Sequence, residues 1–329
     1  QEWIARKLLF YEIEQQTVER YDVDFEKYFG ACKDKNIKTV TEDFLELLIL
    51  DNIKKYNLKA KAWSNMRTVL RGIFLYAKKK GYTKINISEL LEGLDLSKKL
   101  FNHDKKSDEN VIYTKSEIDT IVGHIKNSKS LNDIAILFAI YTGMRVGEIV
   151  SLKWEDVSEN FIHVNRTQIR YKDENGKTVH EVRNFPKTEA GIRDVVIISE
   201  LKPAIKRLRT INPFTEYLFE KNGQCIHKHT VATRLYNLCN LFGFPRKGMH
   251  ALRRFYATTL INAGVDEIII ANQMGHTDIN TTRKHYYKKN AEQEQVMFQV
   301  SEAFNVSPTP LNTFLIKPHR TIPFSTFLT

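Results

Sequence analysis

Hydrophobic spacing changes period twice along this chain, and that change limits the folds open to it. Between Ala60 and Lys80, Trp63, Met66, Val69, Leu70, Ile73, Phe74 and Ala77 recur at three- and four-residue steps, which lays one apolar stripe along a helix. Helical spacing dominates residues 1–101, and it continues in Ile118, Ile121, Val122 and Ile125 and in an apolar helix expected over 131–142. Then Phe161-Ile-His-Val164, Thr167-Gln-Ile-Arg170 and Val195-Val-Ile-Ile198 alternate or cluster β-branched residues, as strands do. Asp173-Glu-Asn-Gly176 supplies a turn between the second and third. From Glu200 the helical pattern returns, with helices expected to begin near His250 and near Asn280. The fold class expected is mainly α with a small antiparallel sheet.

A chain of 329 residues exceeds what one core usually organises, so two domains are expected. The polar run Asn102-His-Asp-Lys-Lys-Ser-Asp-Glu-Asn110 has no apolar period, which suits an interdomain linker. The division is therefore 1–101, a linker at 102–112, a second domain over 113–304 and a tail over 305–329. Thr114-Lys-Ser-Glu117 has the form of a helix capping box at the start of the second domain. The tail, with four prolines and no apolar period, reads as a flexible extension, and docking on another surface is the alternative. The chain opens on Gln1 rather than Met, which leaves open whether an N-terminal portion of the natural protein precedes it.

Lys and Arg number 50 against 39 Asp and Glu, a net charge of +11 with a pI near 9.3, and such a balance favours a polyanionic partner. The excess is local. From Asn52 to Ser88 there is no Asp or Glu, while Lys54, Lys55, Lys59, Lys61, Arg67, Arg71, Lys78, Lys79, Lys80 and Lys84 are all basic. Contact with a DNA backbone is the reading preferred over plain solubility. Three cysteines without Cys-x-x-Cys spacing suggest neither a disulfide framework nor a zinc site. No apolar run approaches the ~20 residues that span a bilayer, and no signal peptide opens the chain, so a reducing, cytoplasmic setting is expected.

Chemistry concentrates in the second half. Arg145 lies in Thr142-Gly-Met-Arg-Val-Gly-Glu148, followed by Leu152-Lys-Trp-Glu-Asp156. His250 and Arg253 share Gly248-Met-His-Ala-Leu-Arg253, His276 lies in Met274-Gly-His-Thr-Asp278, and Tyr286 and Tyr287 follow. Two guanidiniums can grip the non-bridging oxygens of one phosphodiester, because Arg stays charged and presents a planar fork of donors. On a helix, residues three apart share a face, so His250 and Arg253 can address one phosphate. Singly, each has an ordinary explanation: a helix cap, a buried histidine, an amphipathic tyrosine. The joint pattern is what carries weight. Asp and Glu are dispersed rather than clustered, unlike a two-metal nuclease.

These blocks resemble the tyrosine recombinases, the phage-integrase family, and the likeness runs from about residue 1 to about residue 304. It implies an N-terminal helical core-binding domain, SAM-like, followed by the family's catalytic domain. It further implies that Arg145, Lys187, His250, Arg253 and His276 surround the scissile phosphate and that Tyr286 is the nucleophile. In the family the nucleophile follows the Gly-His histidine by nine or ten residues; the nine-residue position is His285, so Tyr286 is chosen and Tyr287 stays the alternative. Lys187, in Phe185-Pro-Lys-Thr188, matches the family's hairpin lysine, with Lys172 as its competitor. Glu148, one turn from Arg145, is expected to fix that arginine's orientation.

The activity implied is site-specific recombination by the integrase of a phage or other mobile element, through a 3′-phosphotyrosine link, with neither metal nor cofactor. Double-stranded DNA (element ends and target site), a homotetramer and DNA-bending accessory factors are the implied partners, and no membrane is involved. The region 291–304 is implied as a helix docking on a neighbouring protomer or on its own domain. A type IB topoisomerase-like enzyme, a chromosome-resolving recombinase and a non-catalytic DNA-binding accessory protein remain the alternatives.

Overall fold

The structure is a computed structural model that describes residues 2–10, 13–94, 96–97, 100–102, 112–173, 175–184 and 191–276. Five helices come first: α1 (Glu2–Leu9), α2 (Gln15–Phe29), α3 (Glu42–Lys55), α4 (Ala60–Lys79) and α5 (Ile87–Gly93). Then follow α6 (Lys115–Ile125), α7 (Leu131–Thr142), α8 (Val146–Val150), β1 (Phe161–Val164), β2 (Thr167–Lys172), β3 (Thr178–Arg183), β4 (Arg193–Val196) and α9 (Lys202–Ile211). The order closes with β5 (Glu220–Lys221), β6 (Gln224–Cys225), α10 (Lys228–Leu241), α11 (Met249–Asn262) and α12 (Glu267–Met274).

Among the described residues two large hydrophobic clusters, one drawn from Tyr21 to Phe101 and one from Tyr113 to Leu252, and a small third of Ala257, Ile270 and Met274 organise these elements. In the first, α4 buries Met66, Val69, Leu70, Phe74 and Ala77. Lys61, Arg67, Arg71, Lys78 and Lys79 fall on the opposite arc of the same helix, because one residue advances about 100°. Trp3 of α1 stacks on Tyr21 at 5.1 Å between ring centroids. The Trp3 ring also occupies the place where a Cβ on Gly72 would stand, at 1.9 Å, so a glycine lets α1 lie against α4.

The second cluster is built around α7, whose Ile134, Ile136, Leu137, Phe138 and Ile140 are all buried. A helix apolar on every side must be surrounded, and α6, α8, α9, α10 and α11 pack against it. The capping box that opens α6 is formed: Thr114 Oγ1 accepts from the Glu117 N–H at 3.2 Å, and Glu117 Oε2 accepts from the Thr114 N–H at 2.7 Å.

The strands among the described residues form three antiparallel pairs, β1–β4, β2–β3 and β5–β6. Ile162 faces Val195 across β1 and β4, and both are buried. The turn at 173–177 joins β2 to β3, Thr178–Arg183, a strand that alternation alone did not mark. The segment at Val195 returns instead to pair with β1. Its ladder spans Arg193–Val196 rather than Val195–Ile198, and one last bond in the same register, from the Ile197 N–H to Asn160 O at 2.8 Å, closes it. No helix among the described residues is long and apolar enough to cross a membrane. Residues 103–111 of the linker expected at 102–112, the helix near Asn280, the region 291–304 and the tail lie outside the described residues.

Candidate active site

Arg145 is delivered by two glycines. Gly143 ends α7 in the left-handed region, φ 62°, where an L side chain is strained. A Cβ there would lie 2.3 Å from the Tyr256 ring and 3.1 Å from Met274 Sδ, so α11 and α12 can close over this turn only onto glycine. Two residues later Arg145 opens α8. A Cβ on Gly147 would meet Thr167 Oγ1 at 2.7 Å and Gln168 O at 2.9 Å, so the second glycine seats α8 on β2.

Glu148 ties Arg145 in place. Its Oε2 accepts from the Arg145 N–H at 2.9 Å and its Oε1 from Arg145 Nη1 at 2.9 Å. The carboxylate is buried at 2% exposure, whereas the Arg145 side chain is 47% exposed, which leaves that guanidinium with donors open to an incoming anion. Burial would raise the Glu148 carboxyl, but the Arg193, Arg145 and Arg253 guanidiniums overcome it and hold it below its ordinary value.

Arg253, 1% exposed, sits on α11 as a structural clasp as well as a charge. Its Nη1 donates to Gly143 O at 2.8 Å, and its Nη2 donates to Met274 O and lies 3.1 Å from His276 Nε2. His276 follows Gly275, another left-handed helix end at φ 61°, and its backbone N–H bonds Ala271 O. Its imidazole is pushed down to about 4, first by burial and then by Arg253, Arg145, Arg193 and His250. His250 is exposed on the first turn of α11.

Four of the residues singled out in the sequence, Arg145, His250, Arg253 and His276, thus come together, from α8, α11 and the end of α12, with Glu148 beneath them. Lys187, Tyr286 and Tyr287 lie outside the described residues. Lys172 ends β2, is exposed, and donates its backbone N–H to Glu19 of α2. The ten basic residues between Lys54 and Lys84 are all exposed, on α3, α4 and their flanks. Sequence reasoning missed Arg193 at the start of β4. Nothing in its spacing marks it, and the only signal was an arginine two residues ahead of the apolar run Val195–Ile198.

The family model described as the phage integrase family matches residues 111–293, more than half of the chain. A tyrosine recombinase XerC-like protein of Caldanaerobacter subterraneus subsp. tengcongensis is 30% identical over 170 residues, 46% of this chain and 44% of that protein. Prophage integrase IntR of Escherichia coli is 26% identical over 170 residues, 42% of this chain and 38% of that protein. The chain therefore spans less than half the length of these two curated relatives. Among solved structures, the Tn1549 transposon integrase in complex with circular intermediate DNA superposes with a TM-score of 0.68 at 18% identity, covering 92% of this chain and 98% of that one.

Proposed function

Because the chain belongs to the phage integrase family, we propose that it is the site-specific recombinase of a mobile element, cutting and rejoining duplex DNA through a 3′-phosphotyrosine. One observation carries the reading: the Arg145 and Arg253 guanidiniums and the His250 ring all act on the His276 ring, and Arg253 bonds it. Cations gathered this closely repel unless an anion joins them. Glu148 balances part of that charge, and a phosphodiester would balance the rest.

In this mechanism Arg145 and Arg253 donate to the non-bridging oxygens and stabilise the charge that grows on them as phosphorus becomes pentavalent. Arg253 donates to the His276 Nε2, so the neutral ring carries its proton on Nδ1 and offers an N–H from there. The Tyr286 oxygen attacks phosphorus while His250 takes its proton. The bond to the 5′ oxygen breaks, and Lys187 supplies the proton that this leaving oxygen needs. A 5′ hydroxyl from a partner strand then attacks the phosphotyrosine and reverses the step, so the phosphodiester energy is conserved and no cofactor enters.

The Tn1549 integrase was solved with DNA, and duplex DNA is the partner proposed for this chain, with element ends and target site as the substrates. The acid-free face between Lys54 and Lys84 would take the backbone from the N-terminal side. A homotetramer on two duplexes, DNA-bending accessory factors and a cytoplasmic setting complete the proposal.

The test is a nicked, self-trapping duplex carrying the DNA that flanks the protein's own coding sequence, incubated with chelator. A denaturant-resistant adduct in the native chain, lost in Tyr286→Phe and kept in Tyr287→Phe, is expected; the reverse pattern moves the nucleophile by one residue. Tight binding without any adduct would favour an accessory protein. Relaxation of supercoiled DNA without strand exchange would favour a topoisomerase.

A further inference from the structure

Arg193 bonds three separate segments with one side chain. It opens β4, is buried at 8% exposure, and spends every branch of its guanidinium inside the protein. Nη2 donates to Glu148 Oε2 at 2.8 Å, Nη1 to Glu148 Oε1 at 3.3 Å and to Gly191 O at 3.0 Å, and Nε to Gln273 O at 2.8 Å. Gln273 lies on α12, three residues before His276. Its own side chain adds a second tie to β4, accepting from the Val196 N–H at 3.0 Å and donating to Asp194 O at 3.0 Å.

Glu148 is consequently an anion held from both edges, by Arg145 and by Arg193. A buried carboxylate left with one guanidinium would pull on it harder. Without Arg193, Arg145 would become the principal counter-charge of Glu148 and a poorer ligand for a phosphate. The end of α12 would also lose the bond that sets its height above β4.

We propose that Arg193 is a positioning residue for strand cleavage, holding Glu148 against Arg145 and α12 against β4 so that the Arg145 guanidinium and the His276 ring stand at the spacing one phosphate requires. This rests on the recombinase reading above. Arg193 does not meet DNA itself, since its donors are committed within the protein. The charged or titratable groups acting on Glu148 are Arg193 from β4, Arg145 from α8 and Arg253 from α11; Tyr256 of α11 feels Arg193 and Arg253, and His276 beyond α12 feels all three. With the largest opposing charge removed, burial would lift the Glu148 carboxyl above its native value.

Three variants test this: Arg193→Gln, Arg193→Lys and the double Arg193→Gln/Glu148→Gln. On the nicked flanking-DNA duplex, Arg193→Gln should keep DNA affinity but slow single-turnover cleavage on the order of 100-fold. The defect should ease as pH falls, because the Glu148 carboxyl, once protonated, loosens its hold on Arg145. The double variant should lose that added pH dependence, and Arg193→Lys should recover part of the rate. Melting temperature moves the same way: the folded Arg193→Gln chain binds an extra proton on acidification, so its deficit against the native chain should shrink as pH falls, and in the double variant it should not. Native-rate cleavage by Arg193→Gln, or a loss equal at every pH, would overturn the assignment. A native chain that forms no adduct would sink the recombinase reading and the cleavage half of this proposal with it; the coupling of Arg193 to Glu148 would still stand or fall on the melting curves.

Discussion

Arg253 Nη2 lies 3.1 Å from His276 Nε2, and because a guanidinium only donates, the imidazole must be the acceptor there. A protonated ring has no lone pair to offer, so the contact exists only with His276 neutral.

Stability should therefore be lost in mild acid. His276 titrates at about 4 in the folded chain and near 6.5 when unfolded, so between those values the unfolded chain binds the extra proton. Stability is fully present above about pH 6.5 and falls as pH drops toward about 4. Melting temperatures across that window should decline more steeply for the native chain than for His276→Asn, and parallel curves would refute the assignment.

Arg253→Lys keeps the charge but loses the fork that reaches Gly143 O, Met274 O and His276. Leaving buried acceptors without donors costs about 1–3 kcal/mol, which urea titration would register. Loss of a donor to the developing charge should slow adduct formation roughly 100- to 1,000-fold. A variant that is stable and fully active would remove Arg253 from the mechanism.

Gly143→Ala should be damaging although it adds one methyl. The left-handed backbone alone costs about 1–3 kcal/mol for a residue with a Cβ, and the Tyr256 ring stands in the way. Because this turn aims Arg145, cleavage should fall by more than the folded fraction does, measured as adduct per unit of native circular dichroism.

Lys247, three residues before His250, is buried against Glu117 at 2.6 and 2.7 Å, and its carbonyl accepts from the Tyr113 hydroxyl at 2.9 Å. Lys247→Met strands a carboxylate and should cost about 3–5 kcal/mol. Pairing it with Glu117→Gln should return much of that loss. A double-mutant cycle that shows no coupling would contradict the arrangement.

If the face between Lys54 and Lys84 meets DNA, its charge should appear in the salt dependence. Replacing Lys78 and Lys79 together by Gln should lower the slope of log K against log salt by about 0.9 for each phosphate that these lysines neutralise. An unchanged slope would return them to the role of solvated surface.

Much of this was legible in order of locality. The α4 stripe, the capping box at Thr114 and the apolar α7 were readable because helix contacts recur every three or four residues along the chain. β3 was missed because Thr178-Val-His-Glu-Val-Arg183 interleaves polar residues, and what recruits it is the hairpin with β2. Glu148 was expected to orient Arg145, being one turn away. Arg193 was not, since its only claim on that carboxylate is made across the fold.

Sequence by itself therefore determined the helical class, the grouping of the chemical residues into short blocks and the acid-free basic face, because each is a matter of neighbours and period. Tertiary structure alone decided which guanidinium remains open and which is buried, that His276 is neutral, and that Arg193 shares Glu148 with Arg145. Those properties depend on burial and on distances between segments far apart in the chain, which the linear spacing of charges does not specify.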